Sequence, residues 1–186
     1  RLQLRQIRKI DVGRIRSNHT TDNATFFLNC INIGVGAAVA HLKQERHRWW
    51  VVQLLIDIWA ALRIVFSRRE FPLSLKFNSE SIKHPFTTMC IGSAGGFGQT
   101  PSAVPYNGLL DITAVSQAPF TRTLNGLWLL FTGRFLTYTN ANSWRTKRID
   151  IHIPNTTPIS LDGRRYVHNS EMLIVDLIPE TLKFLV

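Results

Sequence analysis

Twenty residues near the middle of the chain, Gly92 to Asp111, constrain its fold more than any others. A glycine cluster, Gly92-Ser-Ala-Gly-Gly-Phe-Gly98, follows the apolar run Thr87–Ile91. Next come Pro101-Ser-Ala103, a turn at Asn107-Gly108, and a second apolar run, Leu109–Val115. Clustered glycines let a backbone bend sharply or approach a partner closely. Asn-Gly favours positive φ and a two-residue reversal. Short apolar runs joined by such a loop read as strands.

The flanking sequence follows the same pattern. Residues 1–16 alternate as one or two strands, with Leu2, Leu4, Ile7 and Ile10 apolar, and residues 17–24 form a polar turn. Phe26–Ile33 reads as a strand, and alanines favour a short helix over Ala37–Gln44. Trp49–Phe66 is the strongest helix, broadly apolar with a thin stripe of Gln53, Asp57, Ala60 and Ala61. Charges within it favour a buried helix over a membrane span, with a helix dipping into a membrane surface as the other reading. Leu73–Phe77 and Ile82–Ile91 read as a hairpin. Pro119 opens a second long helix to about Phe135. Strands follow at Arg148–Ile153, Ile159–Leu161, Met172–Ile178 and Leu182–Val186. No repeat or low-complexity linker divides residues 1–186. The expectation is one β-rich α+β domain, a two-layer β-sandwich with two helices.

Hydrophobic residues make up 45% and charged residues 18%, which excludes a disordered chain. No signal peptide is recognisable, and an opening in mid-strand suggests a fragment. Net charge is +10, and six of the 22 basic residues fall in the first sixteen positions. That cluster reads either as attraction to an anionic surface or as a solvated strand face. No RRM, KH, zinc-finger or helix-turn-helix pattern is present, so nucleic acid is not an expected partner. Cys30 and Cys90 sit in apolar stretches and read as buried free thiols. The six histidines show no metal-ligand spacing, and Trp49-Trp50 reads as core or as a lipid-interface pair.

Four segments, in order, resemble the diacylglycerol kinase and sphingosine kinase family of lipid kinases, in its bacterial type. Gly92–Asp111 is similar to the family's G-N-x-x-x-x-G-G-G-x-x-x-x-P-x-A-x-x-x-D-G-x-L-D loop. Asp11-Val-Gly-Arg14 resembles D-L-G-R-V, and Phe27–Val39 resembles F-x-N-x-x-G-x-G-F-D-A-x-V. Ile159–Val186 resembles a strand, a D-G-E turn, a strand and P-x-x-L before a last strand. The family's nucleotide-binding domain carries G-G-D-G-T, which does not occur here. The resemblance therefore implies the C-terminal β-sandwich domain, with the N-terminal ATP-binding domain absent from this chain.

In that family, ATP and Mg²⁺ serve transfer of a γ-phosphate to a lipid hydroxyl such as that of diacylglycerol. The resemblance places Asn107 and Leu109 at the magnesium loop, with Asp111 beside them. It places Asp162 and Arg164 at the proton-acceptor turn, and Gly34, Gly36, Gly95 and Gly96 at the substrate cleft. Asn107 brings no charge to a metal, and Arg164 is no base at neutral pH. Glu171 is a further candidate acid. Two functions follow: an active lipid kinase using other acids, or a degenerate module that binds lipid or a partner without catalysis. The fragment alone is expected to be inactive. Expected partners are a lipid substrate, an anionic membrane surface met peripherally from the cytoplasm, and the chain's own nucleotide-binding domain. A homodimer stays open.

Overall fold

The computed structural model describes residues 7–17, 24–42, 58–60, 62–63, 65–67, 69–78, 80–94, 100 and 102–185. Their strands form two antiparallel sheets of six. The first sheet is ordered β2 (Thr25–Phe27), β1 (Ile7–Ser17), β12 (Met172–Leu185), β9 (Arg148–His152), β4 (Phe71–Phe77), β5 (Glu80–Phe86). The second is ordered β11 (Arg164–Tyr166), β10 (Ile159–Leu161), β3 (Cys30–Gly34), β6 (Thr88–Gly92), β7 (Leu110–Val115), β8 (Ala141–Thr146). Alternation places Ile15, Leu75, Ile149 and Ile151 of the first sheet against Ile31, Ile91 and Ile112 of the second, all fully buried. This is the expected β-sandwich.

Helix α1 (Val35–Leu42) follows β3, and α2 (Phe120–Phe131) follows β7. Residues 58–60, 62–63 and 65–66 are also helical, while the start of the expected Trp49–Phe66 helix lies outside the described residues. Helix α2 stops short of Phe135, because Gly133 takes φ 72° and a separate 3₁₀ turn holds Phe135–Thr137.

Two expected strands each prove to be two. Phe26–Ile33 is two strands in different sheets, β2 and β3, parted at Leu28-Asn29. Ile82–Ile91 likewise divides at Thr87 into β5 and β6. A third crossing, at Lys147, joins β8 to β9, and β8 itself was not expected. No glycine or proline stands at Leu28-Asn29, Thr87 or Lys147, so nothing in the local sequence marks where the chain changes layers.

Side chains secure two of the crossings. At the first, the Asp162 carboxylate accepts hydrogen bonds from the backbone N–H groups of Leu28 (2.7 Å), Asn29 (2.8 Å) and Cys30 (3.0 Å). The Asp162 N–H returns a bond to the Cys30 carbonyl at 2.9 Å. Asp162 stands at φ 47° in the β10–β11 turn, a conformation that Asp tolerates better than most residues. At the third, Thr146 Oγ1 donates to the Arg148 carbonyl (2.8 Å) and accepts from its N–H (3.3 Å).

The expected strands Met172–Ile178 and Leu182–Val186 are one fourteen-residue strand, β12, paired along β1. A register shift between Ile10 and Val12, with Glu180 at φ 51°, marks a bulge. Buried Asp11 fills it. Its carboxylate accepts from Glu180 N–H (3.0 Å) and Gly108 N–H (2.8 Å), and its own N–H donates to the Pro105 carbonyl (2.7 Å). One carboxylate thus pins the Asn107-Gly108 turn to the first sheet.

Three of the basic side chains on β1 are paired with acids of β12. Lys9 meets Glu180 at 2.8 Å, and Arg14 and Arg16 share Asp176 at 2.8 and 3.4 Å. Arg1 and Arg5 lie outside the described residues.

Removing either carboxylate strands backbone donors that have no other acceptor. Asp162→Ala and Asp11→Ala are each expected to lower unfolding free energy by about 2–4 kcal/mol. Asp162→Asn, which keeps one acceptor oxygen and tolerates positive φ, is expected to lose roughly half as much. Urea midpoints at constant slope measure this. A shift within about 0.5 kcal/mol, as for an ordinary surface change, contradicts the clamp.

Candidate functional site

The pleat of the second sheet sets the site. Residues paired across strands share a face. Ser160, Asn32, Cys90 and Thr113 pair in one row, and Gly34, Thr88 and Val115 form the next on the same face. Cys30, Gly92, Asp111 and Arg145 form the row on the other side. The intervening residues, Ile31, Ile33, Met89, Ile91 and Ile112, point into the core. The outer face of this sheet is therefore a polar stripe, and the helices lie over one end of it.

Gly34 makes that arrangement possible. It takes φ 82°, and a Cβ there would stand 2.6 Å from the Thr87 carbonyl. Only glycine fits the step from β3 into α1. Val35 N–H donates to the same carbonyl at 3.0 Å, and Gly36 N–H donates to Thr88 Oγ1 at 3.1 Å.

Above Gly36 and Thr88 lies a cavity of about 570 Å³. Val39 and Ala40 of α1, Leu62, Val65 and Phe66 of the second helical segment, and Leu127 and Leu130 of α2 line it. Its floor carries Asn32 and Thr87. Asn32 is 4% exposed, and its Nδ2 donates to Cys30 Sγ at 3.6 Å. Its Oδ1, like Thr87 Oγ1, is buried without a partner among the described residues. Buried polar atoms left in this state cost about 1–3 kcal/mol each and call for an explanation. Tyr138 also lines the cavity, and burial pushes its phenol above the usual range, keeping it a neutral hydroxyl. Apolar walls with a few placed polar atoms suit an amphiphile.

Gly36 and Gly163 both line this cavity. Gly95 and Gly96 lie outside the described residues. Asp111 is buried, with Oδ1 2.6 Å from Arg145 Nε and Oδ2 accepting from Ser102 Oγ at 2.9 Å. Asp162 and Asp111 meet the same end of the sheet, but β10 and β7 stand three strand spacings apart, about 14 Å. Asn107 is exposed, and its Oδ1 accepts from the Leu109 N–H at 2.9 Å. Leu109 is half-buried. Arg164 is exposed and makes no side-chain bond to the described residues. Glu171 lies elsewhere, beside His84 and His152 in a shallow groove on the first sheet.

Among the described residues, no three His, Cys, Asp or Glu side chains gather as a metal would require. Asp111 and Asp162 already spend their oxygens on protein donors, so the described residues do not assemble a magnesium site. Cys30 and Cys90 are buried free thiols, as expected, and their mutual hydrogen bond and burial keep Cys90 protonated. Sequence reasoning missed Asn32, Thr87 and Tyr138. The one available signal was Asn32, a polar residue between two isoleucines in an apolar run.

Comparison with known proteins bears on the whole arrangement. Two solved structures from Bacillus anthracis str. Sterne, provisionally assigned as diacylglycerol kinases, superpose with TM-scores of 0.65 and 0.66 at 16% identity. A third structure, a diacylglycerol kinase from the same strain, gives 0.57 at 12% identity. Each match covers 96% of this chain, and the chain spans 56%, 57% and 53% of the respective structures. At these identities the likeness is one of fold. No curated protein matches. The family described as the YegS C-terminal NAD kinase beta sandwich-like domain matches residues 29–186. That match spans most of the sandwich, and the chain belongs to this family.

Proposed function

We propose that this chain is the lipid-binding C-terminal domain of an ATP-dependent lipid kinase. The observation that carries the reading is the apolar cavity with unpartnered Asn32 Oδ1 and Thr87 Oγ1 on its floor. An acyl chain fills the apolar volume, gaining about 0.8 kcal/mol per buried CH₂. Asn32 and Thr87 then meet the polar neck of the lipid. The stripe from Thr88 to Gly92 leads its hydroxyl toward the glycine loop, where the nucleotide-binding domain is assigned.

The transfer joins the lipid hydroxyl oxygen to the γ-phosphorus of ATP as the bond to the ADP oxygen breaks, and the hydroxyl proton passes to a base. Among the described residues, no free carboxylate stands at the proton-acceptor turn: Asp162 serves as a positioning residue and Arg164 cannot accept a proton. ATP, Mg²⁺ and the base are assigned to the N-terminal domain. The work is placed at the cytoplasmic membrane surface. The described residues contain no helix long and apolar enough to cross a membrane.

Asn107 and Arg164 favour a second reading, in which the domain binds lipid without transfer. Phosphorylation of diacylglycerol by the full-length protein separates the two.

The cavity itself is tested on the present chain. A fluorescent long-chain monoacylglycerol, dispersed below its micelle concentration, is expected to bind. Val39→Trp, which fills the cavity, should weaken binding by about tenfold or more, or about 1.4 kcal/mol. Equal binding by the variant, at unchanged circular dichroism, contradicts the reading.

A further inference from the structure

The helices over the cavity are apolar on their outward sides as well. Ile58, Leu62 and Phe120 line the cavity yet are 48%, 41% and 53% exposed, so they stand at its rim. One and two turns along α2 from Phe120, Leu124 and Trp128 are exposed to 46% and 68%. Beside Ile58, Trp59 is 64% exposed. The Phe66 and Phe120 rings pack 4.7 Å apart and join the two helices. Large aromatic residues so exposed, and grouped at one rim, mark an interaction face.

Charge selects the partner. Residues 58–66 and 120–134 carry Arg63, Arg122 and Arg134 and no acid. Arg63 sits over the Trp59 ring, 5.7 Å from its centroid. Tryptophan and arginine around an apolar face match the boundary between headgroups and acyl chains. A second copy of the chain would instead bring these arginines against their own kind. Resting on the lipid-kinase reading above, the geometry points to Trp59, Phe120, Leu124 and Trp128 as a docking face that enters an anionic bilayer. The cavity mouth then opens into the lipid layer, and a lipid reaches Asn32 without crossing water.

The experiment uses this chain with vesicles of equimolar phosphatidylglycerol and phosphatidylcholine, some carrying brominated acyl chains. Wild type is expected to bind, with its tryptophan fluorescence quenched by bromine. Leu124→Ser/Trp128→Ser, which changes no cavity-lining residue, should weaken vesicle binding by about tenfold or more. The same variant should take up dispersed monoacylglycerol as wild type does. Phe26→Ser, at an aromatic on β2 whose 56% exposure lies between those of Leu124 and Trp128, should leave vesicle binding unchanged. No vesicle binding by wild type, binding unaffected by the double change, or a dimer that the double change dissociates would each overturn the docking face. Loss of monoacylglycerol uptake by wild type, with vesicle binding and its loss as expected, overturns the cavity reading and leaves the docking face standing.

Discussion

The Asp162 carboxylate holds the place where the chain first leaves one sheet for the other. Three consecutive N–H groups, from Leu28 to Cys30, converge on it. In a continuous strand, alternate N–H groups would point to opposite sides. Their convergence is what a layer change demands, and a single charged acceptor satisfies all three. Without that crossing, β3 would continue along the first sheet. The second sheet would lose a central strand, and α1 would have no platform. The clamp comes from a residue more than 130 positions away, so the crossing depends on the β10–β11 turn being in place.

The outer face of the second sheet inherits its character from this geometry. Its inward residues are aliphatic and complete the core. Its outward rows carry Ser160, Asn32, Cys90, Thr113 and Thr88 beside Gly34 and Val115, a largely polar set to cover with apolar helices. The result is a cavity with dry walls and a polar floor. Along β7, Val115 at the cavity and Asp111 at the far row stand about 13–14 Å apart, four residues of strand. That separation suits a molecule with an apolar tail and a polar end. Under the proposed lipid reading, the fold supplies a direction for the ligand as well as a volume.

The sandwich was legible because its strands alternate and its turns carry Gly, Pro and Asn. Asn107-Gly108 and Asp162-Gly163 are such turns. The layer changes were hidden because Leu28-Asn29, Thr87 and Lys147 carry none of the usual breakers except the lone Asn29. At Leu28-Asn29 the anchor is distant, the carboxylate of Asp162; at Lys147 it is the neighbouring Thr146 hydroxyl, which no sequence pattern singles out. The short strand β11 was hidden for a different reason. Arg164-Arg165-Tyr166 has no apolar alternation, and it is a strand because β10 offers it an edge. Of the candidate site, Gly34 and Gly36 were pointed to by the family resemblance; Gly36 lines the cavity, and Gly34 makes the step from β3 into α1. Asp11 was readable as part of a motif, but its work is to hold a bulge. Asn32 and Thr87 acquire their significance only when strands far apart in sequence align their outer faces.

The central claim is that the space between the helices and the second sheet receives an acyl chain. Isotope-filtered NMR on the labelled chain with unlabelled long-chain monoacylglycerol tests it most directly. The account predicts nuclear Overhauser contacts from the acyl methylenes to the methyls of Val39, Leu127 and Leu130, and a shifted side-chain amide signal at Asn32. Contacts confined to other surfaces, or an unchanged Asn32 amide with lipid bound, would contradict it.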